Sequence, residues 1–279
     1  MQISKVTFFS LFFLITTLWA EPIHSDHVKA ELISEVLSIQ PGRPIWVAVR
    51  LQMDKHWHTY WRNPGDSGLP TKIEWKLPKG FHASDIQWPY PQRFDTTPIV
   101  SFGYEEEVLL LTMIEVPESI NLSKNVVLSA SVDWLECKDI CLPGHSDLKI
   151  ALPVKDEVPK FDHRWAKQFE MTRKNVPITY SDWKINAKHD ESLIIIQLIP
   201  PVWFNGKILS MIFFPEQAGV IDHSAPQKIL KTKKGYIIRI KRSPFAEKPP
   251  ARLKGVLVSQ EGWRGPGSER ALQIDVPLQ

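Results

Sequence analysis

Apolar and polar residues alternate along most of this chain, in short stretches separated by turn-forming residues. An alternation of period two sets one face of a strand against a core and the other in water. Val28 to Leu37, Ile45 to Met53, Thr71 to Trp75, Val108 to Val116 and Val126 to Trp134 follow it, and Leu148 to Leu152 closes the set. Pro41-Gly42, Asn63-Pro64-Gly65, Pro78-Lys79-Gly80 and Pro117-Glu118 supply the turns between them. Short strands packed this densely over about 125 residues predict a β-sandwich of immunoglobulin-like type. Gln87 to Ser101 holds Pro89, Pro91 and Pro98 and reads as a long irregular loop.

The pattern then breaks. Pro153 to Pro159 is a charged, proline-bounded linker. Asp162 follows as a candidate helix cap, with Phe161, Trp165 and Phe169 recurring at spacing four on one face, and Asn175 and Pro177 as the stop. Alternation resumes at Trp183 to Ala187, Leu193 to Leu198, Lys207 to Phe214, Tyr236 to Ile240, Ala251 to Val258 and Leu272 to Val276. The expected architecture is all-β: two immunoglobulin-like β-sandwich domains, residues 21–155 and 177–279, joined by a short linker helix within 156–176.

Composition supports short strands over helices, with 23 prolines, 11 tryptophans and 13 phenylalanines. A net charge of +3 is too mild and too evenly spread to imply nucleic acid as a partner. The Lys228 to Lys241 cluster reads as a solvated strand face. At the N-terminus, Lys5 precedes an apolar run from Val6 to Leu18, with Leu18-Trp19-Ala20 behind it. A spanning helix needs about 20 apolar residues, so this shorter run predicts a signal peptide, residues 1–20, cleaved after Ala20. No later stretch is long enough to span a bilayer; Leu193 to Phe204 is interrupted by Gln197, Pro200 and Pro201. The mature chain is therefore expected to be exported, soluble and in an oxidising space, where disulfides persist. The sequence calls for no cofactor.

The chain has two cysteines, four positions apart, in Cys137-Lys138-Asp139-Ile140-Cys141. They can pair only if the chain turns back between them, because a disulfide needs Cα atoms roughly 4.4–6.8 Å apart. A bridge this local closes a small loop and contributes roughly 2 kcal/mol, against about 4.7 for a loop of 100 residues. It is a weak staple for a chain of this length. Three readings stand: a static disulfide or a free thiol pair, an exchange-active couple, or soft metal ligands with His145 added at equal spacing, which would suit copper(I) or zinc. Pro143-Gly144 breaks any helix that would align those three. Glu136 and Asp139 flank the pair and would tend to raise thiol pKa values.

A second distinctive stretch runs from His56 to Pro70: His-Trp-His-Thr-Tyr-Trp-Arg-Asn-Pro-Gly-Asp-Ser-Gly-Leu-Pro. Asn63 to Gly68 is a turn sequence. Trp57, Tyr60 and Trp61 either fill the core or form an aromatic platform near the cysteines. His56 and His58 stand two apart and would share a strand face.

These residues, with Trp88-Pro89-Tyr90-Pro91, Phe102-Gly103-Tyr104 and Trp134-Leu135-Glu136-Cys137…Cys141-Leu142-Pro143, resemble the N-terminal periplasmic region of DsbD/ScsB-type thiol:disulfide interchange proteins. The resemblance covers about residues 28–155 strongly and the second sandwich weakly. It implies a protein-disulfide reductase component in the periplasm. Cys137 and Cys141 would accept electrons from a membrane-embedded donor and pass them to thioredoxin-fold periplasmic proteins, including disulfide isomerases and cytochrome c maturation factors. The family shields its cysteines with an aromatic cap; Phe94, Phe102 and Tyr104 are the candidates here, with Tyr60 and Trp61 as a platform. The best known member spaces its cysteines more widely, and this chain is closer to the ScsB-like branch. The chain stops at Gln279 without the transmembrane and thioredoxin-like domains usual in the family, so a separate polypeptide is expected as donor. The alternatives are a non-enzymatic protein-binding module with a structural disulfide, and a copper-binding protein using the cysteine pair.

Overall fold

The computed structural model describes residues 23–279 apart from 97, 123, 124, 181 and 247. The expected signal peptide and its cleavage point lie outside the described residues. In chain order the first strands are β1 (Ile23–His24), β2 (Val28–Ser34), β3 (Ile45–Met53), β4 (His58–Gly65), β5 (Lys72–Lys76) and β6 (His82–Ala83). They continue as β7 (Gln92–Thr96), β8 (Ile99–Glu105), β9 (Glu107–Glu115), β10 (Asn125–Cys137) and β11 (Cys141–Pro153). After helix α1 (Ala166–Asn175) come β12 (Lys184–His189), β13 (Leu193–Ile199), β14 (Ile212–Pro215), β15 (Lys228–Thr232), β16 (Gly235–Lys241), β17 (Arg252–Val258) and β18 (Ala271–Pro277).

The first sandwich stacks a sheet ordered β1-β2-β3-β9-β6 on one ordered β11-β10-β4-β8-β7, with β5 also paired to β10. Its core follows the alternation directly. Along β10, Val126, Leu128, Ala130, Val132 and Trp134 are buried while Val127 and Asp133 face solvent. Those inward residues meet Leu32, Val49, Leu51 and Leu110 of the opposite sheet. The second sandwich pairs a β12-β13-β16-β15 sheet with a β14-β17-β18 sheet. Ile194, Ile196, Leu198, Ile238, Leu257 and Trp263 fill it. The fold is all-β and immunoglobulin-like, as the pattern predicted.

Two segments of the first sandwich depart from the expectation, and in the second the strand expected over Lys207 to Phe214 is confined to Ile212–Pro215. Residues 87–101 are not one irregular loop: β7 and β8 form an antiparallel hairpin with Phe94 opposite Ser101. The prolines do not oppose it, because Pro89 and Pro91 precede β7 and Pro98 lies in the turn, where no ladder N–H is required. Likewise, His58 to Gly65 is a strand, with a register shift between Tyr60 and Gly65 that absorbs Pro64.

Helix α1 lies against the outer face of the first sandwich, where Phe169 is buried among Ile33, Ala48, Leu109 and Leu111. The stripe is narrower than its spacing suggested, since Phe161 is exposed. Asp162 does not cap the helix. Its carboxylate accepts from the backbone N–H of Arg164 at 3.0 Å and pairs with that guanidinium, while Trp165 occupies the N-cap without a side-chain bond. Among the described residues no helix is long and apolar enough to cross a membrane.

Candidate functional site

Strands β10 and β11 pair without interruption from Asn125 opposite Pro153 to Cys137 opposite Cys141. The two cysteines are thus the last rung of a long hairpin, and Lys138, Asp139 and Ile140 close it. The turn brings their Cα atoms within 4.2 Å, and the sulfurs are bonded to each other. The two cysteines differ in exposure. Cys137 retains 2% of its surface, whereas Cys141 is exposed and stands beside Ile140, itself 61% exposed. Strand β4 approaches from the other side, with His58 opposite Cys137.

Because side chains two apart on a strand share a face, His58 and Tyr60 point the same way. The Tyr60 hydroxyl is 3.7 Å from Cys141 Sγ and 3.3 Å from His58 Nε2. The His58 ring packs against Phe94 of β7, with centroids 4.8 Å apart. Burial lowers the pKa of His58 and raises that of Tyr60, so both are neutral near pH 7. The tyrosine ring is held from behind by Gly68, which has φ +111° and where a Cβ would collide with the ring. Gly68→Ala is therefore expected to displace Tyr60 from Cys141. A changed aromatic signal in near-ultraviolet circular dichroism that is absent when Tyr60→Phe is the background, without loss of the far-ultraviolet strand signal, would register it.

Glu136 does not face the bridge. Neighbouring strand residues point to opposite faces, and its buried carboxylate accepts from Ser25 Oγ at 2.6 Å, Trp134 Nε1 at 2.9 Å and the His27 backbone N–H at 3.1 Å. It ties the N-terminal edge of one sheet to the hairpin of the other. Asp139 is exposed in the closing loop.

Of the residues expected as cap or platform, Tyr60 reaches the bridge and Phe94 packs on His58 behind it. The other three are core. Tyr104 is buried with its hydroxyl donating to the Pro89 carbonyl at 2.7 Å. Trp61 and Phe102 pack instead against Phe214 of the second sandwich, at centroid distances of 6.3 and 5.0 Å.

The turn sequence after them also serves the contact between sandwiches. Arg62 pairs with Glu216 at 2.9 Å, and Asn63 Nδ2 donates to the Pro215 carbonyl at 2.7 Å. Asp66 holds His223 Nδ1 at 2.7 Å and also accepts from the Val100 N–H. No sequence signal within reach of the motif announces partners roughly 150 positions away.

In the disulfide-bonded state the two sulfurs are bonded to each other, and His145 pairs with Asp133 at 2.7 Å. Among the described residues no group of three or more His, Cys, Asp or Glu side chains is arranged to hold a metal.

Comparison with known proteins agrees with this geometry. Residues 28–153 match the family model for the N-terminal region of the thiol:disulfide interchange protein DsbD. None of the curated proteins matches the chain in sequence. Among solved structures it is similar to the N-terminal periplasmic domain of ScsB from Proteus mirabilis, with a TM-score of 0.65 and 17% identity over 94% of this chain and 98% of that one. At that identity the likeness speaks for the fold, and it extends through both sandwiches. The GAE domain of yeast GGA1 (TM-score 0.25, 14% identity, 47% of this chain and 95% of that one) is too distant in shape to bear on the site. The same holds for the YadV chaperone (TM-score 0.23, 9% identity, 88% of this chain and 100% of that one).

Proposed function

We propose, from the premise that residues 28–153 of this chain are a DsbD-type N-terminal domain and hence a thiol–disulfide interchange domain, that the Cys137–Cys141 bridge is a two-electron relay in the periplasm. A membrane-embedded dithiol protein reduces it, and thioredoxin-fold proteins, disulfide isomerases and cytochrome c maturation factors among them, are then reduced by it. The observation that carries this reading is the unequal pair: one cysteine exposed at the tip of a hairpin, its bonded partner buried behind it.

That inequality supports the following order of steps. A donor thiolate attacks Cys141 Sγ, the bond to Cys137 breaks, and its electron pair leaves on Cys137 Sγ. The second donor thiolate then attacks the donor sulfur of the mixed disulfide, closes the donor's own disulfide and releases Cys141 as a thiolate. Two electrons have moved, and the domain holds a dithiol. In the forward sense Cys141 attacks the acceptor disulfide, and Cys137 resolves the adduct and restores the bridge. The exposed Ile140 beside Cys141 offers an apolar contact to the incoming protein.

The reduction potential of the bridge tests the proposal. A relay requires a value in the range of exchange proteins, about −120 to −270 mV, whereas a value below about −300 mV would mark a static bond and end the reading.

A further inference from the structure

Tyr60 and His58 form a hydrogen-bonded line that ends on a reacting atom. Tyr60 Oη lies 3.7 Å from Cys141 Sγ, and His58 Nε2 lies 3.3 Å from the same oxygen. We infer that Tyr60 is a catalytic residue of the exchange: its hydroxyl, oriented by His58, donates to Cys141 Sγ whenever that sulfur carries negative charge. This rests on the relay reading and adds to it the group that stabilises the charged intermediate.

A tyrosine hydroxyl has one proton to give. If it points at His58, the sulfur receives nothing; if His58 donates its Nε2–H to the tyrosine oxygen, the O–H is free for the sulfur. A neutral imidazole with the proton on Nε2 imposes the second arrangement. Burial favours the neutral imidazole over the charged one and keeps the proton on Tyr60, and the tautomer inferred is the one with the proton on Nε2. Packing fixes both rings: Phe94 lies on His58, and Gly68 leaves no room behind Tyr60. The other ionisable groups nearby are Glu105, opposite His58 on β8, and Lys138 and Asp139, exposed in the closing loop.

Each step on Cys141 uses the bond. When the donor's second thiolate closes the donor disulfide, the bond between donor sulfur and Cys141 breaks and its electron pair stays on Cys141 Sγ. The Tyr60 O–H meets that charge with a charge-assisted bond. When Cys141 attacks an acceptor, the same bond raises the fraction of thiolate available, and it weakens as the charge passes to the acceptor sulfur. Cys137 has no such donor in the line and acts as the resolving sulfur. His58 acts through Tyr60 and is a positioning residue.

The test uses the full chain carrying Cys137→Ala, so that Cys141 is the one thiol, and follows its alkylation by iodoacetamide against pH. Tyr60→Phe is expected to raise the midpoint by about one pH unit, a reaction ~tenfold slower at pH below both midpoints, while the rates converge at high pH. His58→Leu is expected to shift the profile in the same direction, and His58→Gln, which keeps an N–H, to recover most of the shift. A merely structural role would not produce that recovery. Superimposable profiles for the parent, Tyr60→Phe and His58→Leu proteins would overturn the inference. The measurement needs no partner protein, so failure of exchange with a thioredoxin-fold protein would sink the relay and leave this result standing.

Discussion

Cys137→Ala is expected to trap an oxidised thioredoxin-fold partner as a mixed disulfide on Cys141, the Cys141 thiolate attacking the partner's disulfide and one partner sulfur leaving as a thiolate, while Cys141→Ala traps almost none. The asymmetry follows from access. An attacking sulfur must line up with the sulfur it attacks, and Cys141 is exposed whereas Cys137 keeps 2% of its surface. Removing Cys137 also removes the group that resolves the adduct, so the product accumulates. In both variants electron transfer through the domain falls to background, since a relay needs both sulfurs. The fold should hardly notice. The bridge closes the end of a hairpin already paired from Asn125 to Cys137, and a loop of this size contributes about 2 kcal/mol. For a chain of this length that is roughly 5 °C in melting temperature. Non-reducing gels with an oxidised thioredoxin-fold protein, beside thermal melts of the same variants, check both halves. Equal trapping by the two variants would refute the assigned order of attack.

Much of the scaffold behind this site is legible in the chain. Ile45 to Met53 reads as a strand and is one between those same residues, its alternation interrupted at Ala48, which is buried against Phe169 on the other face. Val126 to Trp134 marks the strand that carries Cys137, and the turn needed to bring the cysteines together is the hairpin turn itself. Local alternation suffices there because the strands are long and half-buried. It fails where burial is uneven. Phe94 sits in a short edge strand bracketed by prolines, and its flanking residues are mostly exposed, so no period-two signal survives. Asp162 precedes a helix at a plausible capping distance, but Arg164 captures its carboxylate.

The long motif from His58 to Asp66 divides its residues between two roles. Tyr60 and Trp61 are adjacent aromatics of one strand, yet the pleat sends one towards the cysteines and the other towards the second sandwich. Nothing in their identity distinguishes them. His58, which reads as an ordinary edge histidine, is the residue that bonds Tyr60, and the signal that could have found it is the two-residue spacing that places both on one face.

The same strand links the redox tip to the second sandwich, which gives Phe214→Ala a large expected effect at a distance. Phe214 is 2% exposed and packs edge-on against Trp61 and Phe102. With Val256, Val258 and Ala271 it extends the first core into the second sandwich. Truncating a buried phenylalanine costs about 3–5 kcal/mol, through lost burial and the cavity left behind. At this chain length the melting temperature should fall by roughly 10 °C. The polar contacts around it, Asn63 to the Pro215 carbonyl and Asp66 to His223, depend on the same apposition and do not compensate once the aromatic cluster loosens. If the sandwiches then unfold separately, calorimetry should resolve two transitions in place of one. Tyr60 lies one residue from Trp61 on β4, so the exchange rate should also fall several-fold although Phe214 touches neither cysteine. A lowered melting temperature with an unchanged exchange rate would mean that the second sandwich steadies the fold without helping to aim Tyr60 at the bridge.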